Sequence, residues 1–356
     1  MKTLALSLKT FRENKGMVIR QLAAESGIDA ALISKFEKGN RLPTEENLAA
    51  LSHALAVPLD ELKRLWLVEK VVEVVKYRLD AQEILSVAES RVEYLSSTRV
   101  FELPPLSDSL KDKLKAIDTL KNLWSGKKPL NATQLAKMQE FFHVEYTYES
   151  NRIEGNTLSL QETHLVVNEG ITIGGKSMRE HLEAINHAEA IGFMEQLCAA
   201  EEPLTKRTLL ELHYLILKGI DKANAGRYRS VPVRISGSRH EPPQPFLLEK
   251  MMEDYFIHYT QQKHIMHPVI LAAELHERLV SIHPFIDGNG RTSRLVMNLI
   301  LLQNGYTIAN LKGDITSRLA YYSALEKVQV DANPEPFYHL VADAVLESLQ
   351  RHLALT

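Results

Sequence analysis

The sequence predicts an all-α protein whose large helical core carries one small β-hairpin and is preceded by a small domain of short helices. Three observations predict this. Apolar residues recur at helical spacing through most of the chain after residue 107. The alternation a strand needs occurs clearly once, at Val231, Val233 and Ile235, followed by the turn pair Ser236-Gly237. The first 66 residues break into short amphipathic stretches separated by glycine or proline. The expected organisation is a domain over 1–66, a helical linker over 67–106 and a core over 107–356.

Bulk properties bound the function. The chain has 356 residues, 45% hydrophobic and 24% charged, an ordinary globular mixture with room for two or three domains. Its net charge of -3 provides no global basic field for nucleic acid. The single cysteine, Cys198, excludes an internal disulfide framework and fits a reducing compartment. The apolar run in "MKTLALSLKTFRENKG" stops at Lys9, with no small-residue cleavage site after it, and no stretch reaches transmembrane length. The expectation is a cytoplasmic protein with no membrane partner.

In the first section, "RQLAAESGI" reads as a short helix ending at Gly27, and "DAALISKFEKG" as a second helix capped by Asp29. Two short helices around a glycine turn make the helix-turn-helix geometry, with Leu22, Ala23, Ile28, Leu32, Ile33 and Phe36 suited to its core. The stretch, with "ISKFEKGNRLP" and "LAALSHALAVPLDEL", resembles the lambda-repressor/Cro-like helix-turn-helix family over roughly residues 4–65. The resemblance implies DNA as a partner, with Asp29, Ala30, Ala31, Ser34 and Lys35 at the major groove. Residues 1–66 hold ten Lys/Arg and eight Asp/Glu, a net of +2. So small a charge predicts weak binding by one copy, and hence a dimer. A protein-interaction module, or one that has lost its function, is the other reading.

Residues 67–100 lack Gly and Pro and read as one long helix. Its apolar seam runs Val68, Val72, Val75, Leu79 and resumes, shifted, at Ala81, Leu85, Ala88, Val92 and Leu95. That seam suits either a connector along the next domain or the contact of a homodimer. "ELPPL" at 102–106 marks a boundary. Helical periods then cover 107–124, 132–153, 178–199, 205–218, 246–261, 268–281, 290–304, 314–328 and 334–353. "GITIGGKS", Gly170 to Ser177, matches the P-loop spacing, but no buried strand precedes it and no βα units surround it, so the match reads as accidental.

The informative stretch is "SIHPFIDGNGRTSRLVMNLILLQNGY", Ser281 to Tyr306. One helix stops at Pro284, the glycines of "DGNG" permit a tight turn whose amides can cradle an anion, and a second helix starts there. Arg291 and Arg294 lie on its first turn, where cations oppose the helix dipole and each other. A polyphosphate between them would resolve the conflict. Asp287 then suits a hard, oxygen-seeking cation such as Mg2+, and His283 is the nearby group able to take a proton near neutral pH.

"HPFIDGNGRTSR" resembles the signature H-P-F-x-[DE]-G-N-G-R-x-x-R of the Fic family of nucleotidyl transferases at every fixed position. "MREHLEAINHAEA", "GRYRSVPVRISGS" and "SRLAYYSALE" add to the likeness, which covers roughly residues 107–350. The resemblance implies a helical Fic core using ATP and Mg2+ to transfer AMP to a Tyr, Thr or Ser hydroxyl of a target protein. It implies His283 as general base, Asp287 as metal ligand, and Gly288, Asn289, Gly290, Arg291 and Arg294 as phosphate contacts. Phe285 would anchor the loop. Val231, Val233 and Ile235 would form a flap that docks the target, and Tyr321 or Tyr322 would line the adenine pocket. "ESNRIEGNTL" is similar to the family's inhibitory motif [S/T]-x-x-x-E-[GN] through Ser150, Glu154 and Gly155. That implies a brake in which Glu154 pairs with Arg294. Beside an auto-inhibited adenylyltransferase stand a nucleotide-sensing transcription regulator, an enzyme using another nucleotide, and one that removes AMP.

Overall fold

The computed structural model describes residues 3–97, 105–127 and 131–356. It forms two compact units, Met1–Glu102 and Leu103–Thr356.

The first unit contains α1 (Leu4–Asn14), α2 (Ile19–Ser26), α3 (Ala30–Glu37), α4 (Glu45–Leu55), α5 (Leu59–Val75) and α6 (Ala81–Ser97). Gly27 takes φ 69, the left-handed turn that lets α2 stop and α3 start. Asp29 then accepts from the amides of Ala31 and Leu32 and caps α3. Leu22, Ile33, Phe36, Leu48 and Leu62 close the core of this unit. Arg12 grips Glu37 with two hydrogen bonds of 2.7 and 2.8 Å, tying α1 to α3.

The single helix expected over 67–100 is divided. α5 starts at Leu59, inside the expected first domain, and ends at Val75; α6 begins at Ala81. The break falls where the apolar seam shifts, because one straight helix cannot keep both stripes on one face. Arg78 folds back onto Asp80 with two 2.8 Å bonds at this bend. Val68, Val72 and Leu79 are exposed whereas Val75 is buried. The end of the expected helix, 98–100, and most of the boundary at 102–106 lie outside the described residues.

The second unit contains α7 (Asp108–Gly126), α8 (Ala132–Ile153), α9 (Leu160–Glu169), α10 (Met178–Ala199), α11 (Lys206–Leu217), α12 (Leu248–Gln262), α13 (Pro268–Ile282), α14 (Asn289–Gln303), α15 (Ile315–Asp331) and α16 (Glu335–Ala354). α13 and α14 are apolar almost all round and are buried accordingly. α12, α15 and α16 pack on α13, while α8, α10 and α11 pack on α14. The loop between the two central helices is therefore held by the whole core.

Two local expectations differ from the structure. α9 was not expected; Ser159 and Glu162 form the capping box that starts it. The Gly170–Ser177 stretch is the turn between α9 and α10, where Lys176 bonds the Thr157 carbonyl at 2.5 Å and Ser177 caps α10. No strand leads into it, as a P-loop would require. The expected hairpin is also absent. Among the described residues there is no strand, and Val231, Val233 and Ile235 run as unpaired chain into a turn at Gly237, φ 79. The Val231 carbonyl, which a ladder would need, instead accepts from Arg229. An isolated two-stranded hairpin is marginal in water, and here no third strand supports it. No helix among the described residues is long and apolar enough to cross a membrane.

Candidate active site

α13 ends at His283, a non-glycine residue in the left-handed region at φ 50. Its amide bonds Leu279 O, and its Nδ1 lies 3.2 Å from Val280 O. A carbonyl can only accept, so Nδ1 carries the proton and Nε2 is left with its lone pair. Burial lowers the His283 pKa to about 4, opposed by the Val280 bond and assisted by Arg229 and His240; Glu154 acts in the raising sense. The imidazole is thus neutral and fixed as a base at neutral pH.

The next residues close a tight loop. Phe285 is fully buried, with its ring stacked on His213 at 3.6 Å and 7°. His213 Nε2 donates to Asp287 O at 3.0 Å while its Nδ1 accepts from Gly226 N–H at 2.9 Å. Burial lowers the pKa of His213 to about 4, so it is a neutral spacer under the loop. Gly288, at φ 78, lets the chain pass; an added Cβ would approach Ile216 at 3.3 Å and His213 at 3.4 Å. The Asn289 side chain closes the loop, accepting from Phe285 N–H at 3.0 Å and donating to Phe285 O at 2.9 Å. It is therefore spent on the loop, and Asn289 can meet a phosphate only through its amide.

α14 starts without a side-chain cap. Its first closing bond is Thr292 N–H to Gly288 O, and among the described residues the amides of Asn289, Gly290 and Arg291 have no partner. Three free amides at the N-terminus of a buried helix make an anion cradle.

The two arginines answer the dipole conflict with carboxylates from other elements. Arg291, 2% exposed, lies 3.3 Å from Glu183 of α10 and 3.5 Å from Asp287. Its Nε and Nη1 make no hydrogen bond. Arg294, 0% exposed, donates through Nε to Ser150 Oγ and through Nη2 to Ser150 O, both at 2.9 Å. The same Nη2 meets Glu154 Oε1 at 2.7 Å. Burial opposes the Arg294 charge, but Glu154 outweighs it and raises the pKa further. Glu154 is the C-cap of α8, followed by Gly155 at φ 96, and its carboxylate covers Gly290 so closely that a Cβ there would overlap Oε1. Among the described residues Nη1 of Arg294 makes no hydrogen bond.

Asp287 accepts from Gly288 N–H and from Arg179 Nη2, both at 2.6 Å. Burial raises its pKa, but Arg291, the Gly288 amide and Arg179 outweigh that and hold it below the ordinary value. It is an ionised carboxylate at the cradle's mouth. Among the described residues no three His, Cys, Asp or Glu side chains cluster. One carboxylate plus phosphate oxygens and water is the donor set Mg2+ accepts, so the residues present fit that ion.

The other expected site residues divide. Tyr321 is 3% exposed and its hydroxyl lies against His276; the 3.6-residue period turns it inward between α13 and α16. Tyr322 is 42% exposed, and its hydroxyl donates to Ile153 O at the end of α8. Val231 is exposed on the 230–243 segment, with Val233 and Ile235 partly covered. In the first unit, Ala31 and Lys35 are exposed on α3 and Ala30 and Ser34 half-buried. Sequence reasoning missed Arg179 and Glu183, one turn apart on α10, His213 on α11 and Arg229 in the chain beyond it, which carry no spacing relative to the central motif.

The chain is similar to several known proteins. The Fic/DOC family model matches residues 203–301, and a helix-turn-helix model matches residues 8–62. Similar curated proteins include the protein adenylyltransferase Fic of Drosophila grimshawi, 34% identical over 247 residues, 68% of this chain and 50% of that protein. The one of Nematostella vectensis is 34% identical over 256 residues, 70% of this chain and 57% of that protein. This chain thus spans about half the length of the curated relatives it matches. Among solved structures, a Fic domain containing signaling protein from Bacteroides thetaiotaomicron aligns with TM-score 0.62 and 30% identity, over 67% of this chain and 97% of the other. Residues 134–508 of Fic-1 from C. elegans align with TM-score 0.62 and 25% identity, over 99% and 98%.

Proposed function

The chain belongs to the Fic/DOC family, and from that membership we propose that it is an auto-inhibited protein adenylyltransferase, moving AMP from ATP to a hydroxyl side chain of a target protein. The observation that carries the reading is His283, a neutral imidazole whose proton is committed to Val280 O, beside an empty-handed helix N-terminus flanked by two buried arginines. The curated relatives named protein adenylyltransferase support the choice of nucleotide.

In this mechanism the amides of Asn289, Gly290 and Arg291 hold phosphate oxygens, and the guanidinium groups of Arg291 and Arg294 balance the outer phosphates. Asp287 would hold a magnesium ion, whose charge offsets that of the α- and β-phosphates. His283 Nε2 takes the proton of the incoming Tyr, Thr or Ser hydroxyl as its oxygen attacks the α-phosphorus and pyrophosphate leaves. General-base help of this kind is worth about 10²–10⁴ in rate. The unpaired 231–243 segment offers backbone to an extended target peptide.

Glu154 is the brake in this reading. It occupies the Arg294 donor that an outer phosphate needs and covers the amide end of α14. The first unit carries DNA binding as a cytoplasmic dimer, with the capped α3 at the groove. The test is labelled-ATP transfer read by intact mass. His283→Ala is expected to abolish transfer and leave ATP binding intact; transfer retained by that variant would overturn the assignment of the base.

A further inference from the structure

We propose that Arg229 is a positioning residue that couples the histidine loop to the 231–243 segment, so that one guanidinium sets both the base and the strip that receives the target. The inference rests on the reading of His283 as base and of that segment as the docking strip.

Arg229 is 4% exposed, and it donates in four directions, each to a backbone carbonyl. Its Nε meets His283 O at 2.8 Å, Nη1 meets Val231 O at 3.0 Å, and Nη2 meets Pro243 O at 2.6 Å. Its own amide meets Pro284 O at 2.9 Å. Among the described residues no carboxylate pairs with it. Burial lowers its pKa, with no opposing anion. A buried cation without an acid is expensive unless fixed dipoles replace water, and here three carbonyls do so. An apolar side chain of similar size would leave those three carbonyls without a donor. The arrangement fixes three points in space.

The three points are informative. His283 is held in a left-handed conformation, which a non-glycine residue keeps only when its surroundings over-determine it. The Arg229 bond to its carbonyl supplies part of that constraint. Val231 and Pro243 are the two ends of the segment, and one planar group closes them together. Two further pins lie beyond: His240 Nε2 donates to Ser281 O at 2.8 Å, and Arg239 meets Glu326 at 2.8 Å. The root pin is thus shared with the base, while the Arg239 pin is not. Lysine could keep the charge but lacks the planar fork that reaches three carbonyls.

The experiment uses the full chain and readouts independent of transfer. Nitrogen NMR of labelled histidines, with His283 assigned through His283→Gln, reports which ring nitrogen holds the proton. Hydrogen exchange reports the 231–243 segment. Arg229→Lys and Arg229→Met are compared with Arg239→Ala, which touches only the outer pin. The expected result for both Arg229 variants is loss of the fixed Nδ1–H form of His283, with 231–243 exchanging at least tenfold faster and α13 and α14 still protected. Arg239→Ala is expected to loosen the segment and leave the His283 signal unchanged. An Arg229 variant that leaves the His283 form and the segment as they were overturns the proposal. So does loss of protection throughout α13 and α14 in Arg229→Lys, which would make the residue a plain structural support. Neither outcome touches the assignment of His283, whose own failure would be transfer retained by His283→Ala.

Discussion

The chemistry proposed here turns on the state of single residues, and His283 makes the sharpest statement. An ordinary histidine begins to protonate near 6.5, whereas burial takes this one to about 4. In a released variant, kcat/KM is therefore expected to hold as pH falls through 6.5 and to decline only on approach to 4; an acid limb near 6.5 would contradict the buried, neutral base. Stability carries the same sign. The unfolded chain takes a proton on His213 and His283 before the folded one does, so their contribution is full above about 6.5 and is lost as pH falls toward 4. Tm measured across that window is expected to drop. The residues from His283 to Arg294 were legible because one loop and one helix turn hold them in sequence. Asn289 was legible as part of the site but not in its task, since its amide side chain answers Phe285 of its own loop. Glu183 and Arg179 were illegible, being placed by the packing of α10 against α14. The sequence left Tyr321 and Tyr322 as alternatives, because adjacency alone does not say which ring on α15 is buried and which exposed.

At the scale of elements, α8 is the part that the proposed brake depends on. It presents Ser150, from its last turn, and Glu154, from its cap, to one guanidinium of α14. Arg294→Ala is expected to silence both the parent and a Glu154 variant, because one arginine serves brake and phosphate. The two changes are then strongly non-additive in transfer assays. Tyr322 adds a lever on the same helix. Its hydroxyl holds Ile153 O, the last carbonyl before Glu154. A net hydrogen bond is worth about 1 kcal/mol, so Tyr322→Phe is expected to raise basal transfer by up to about fivefold while leaving Tm nearly unchanged. No rise would mean that the bond does not help hold the brake. The helix pattern of this unit was readable from periodicity, down to the ends of α8 and α10. α9 escaped because its apolar residues are few, though its capping box was visible. The hairpin failed for a different reason: alternation marks a chain that could pair, and pairing needs a partner strand, of which there is none among the described residues.

On the scale of the whole molecule, the second unit explains the catalytic proposal by itself, and the first is a separate case. Its net charge over residues 1–66 is only +2, and Arg12 is taken up by Glu37 and so is not one of the cations free to meet a phosphate. Sequence-specific DNA binding is thus expected only as a dimer and to weaken steeply with salt, measured by anisotropy on fragments from the protein's own promoter region. Absence of binding at low salt would move the unit to protein interaction. The split at 76–80 was foreshadowed by the shifted seam, but a seam alone cannot say whether a helix bends or merely changes partners. The central claim concerns the pair that joins α8 to α14, and one measurement tests it most directly: AMP transfer from labelled ATP by Glu154→Gly against the parent chain, with MgATP binding shown for both. Each 1.4 kcal/mol is tenfold, and a pair whose arginine is fully buried, though its carboxylate is a third exposed, is worth about that when the carboxylate is removed, so a rise of about tenfold is expected. Equal rates from two chains that both bind MgATP would contradict the account and leave Ser150 to Gly155 as an ordinary helix end.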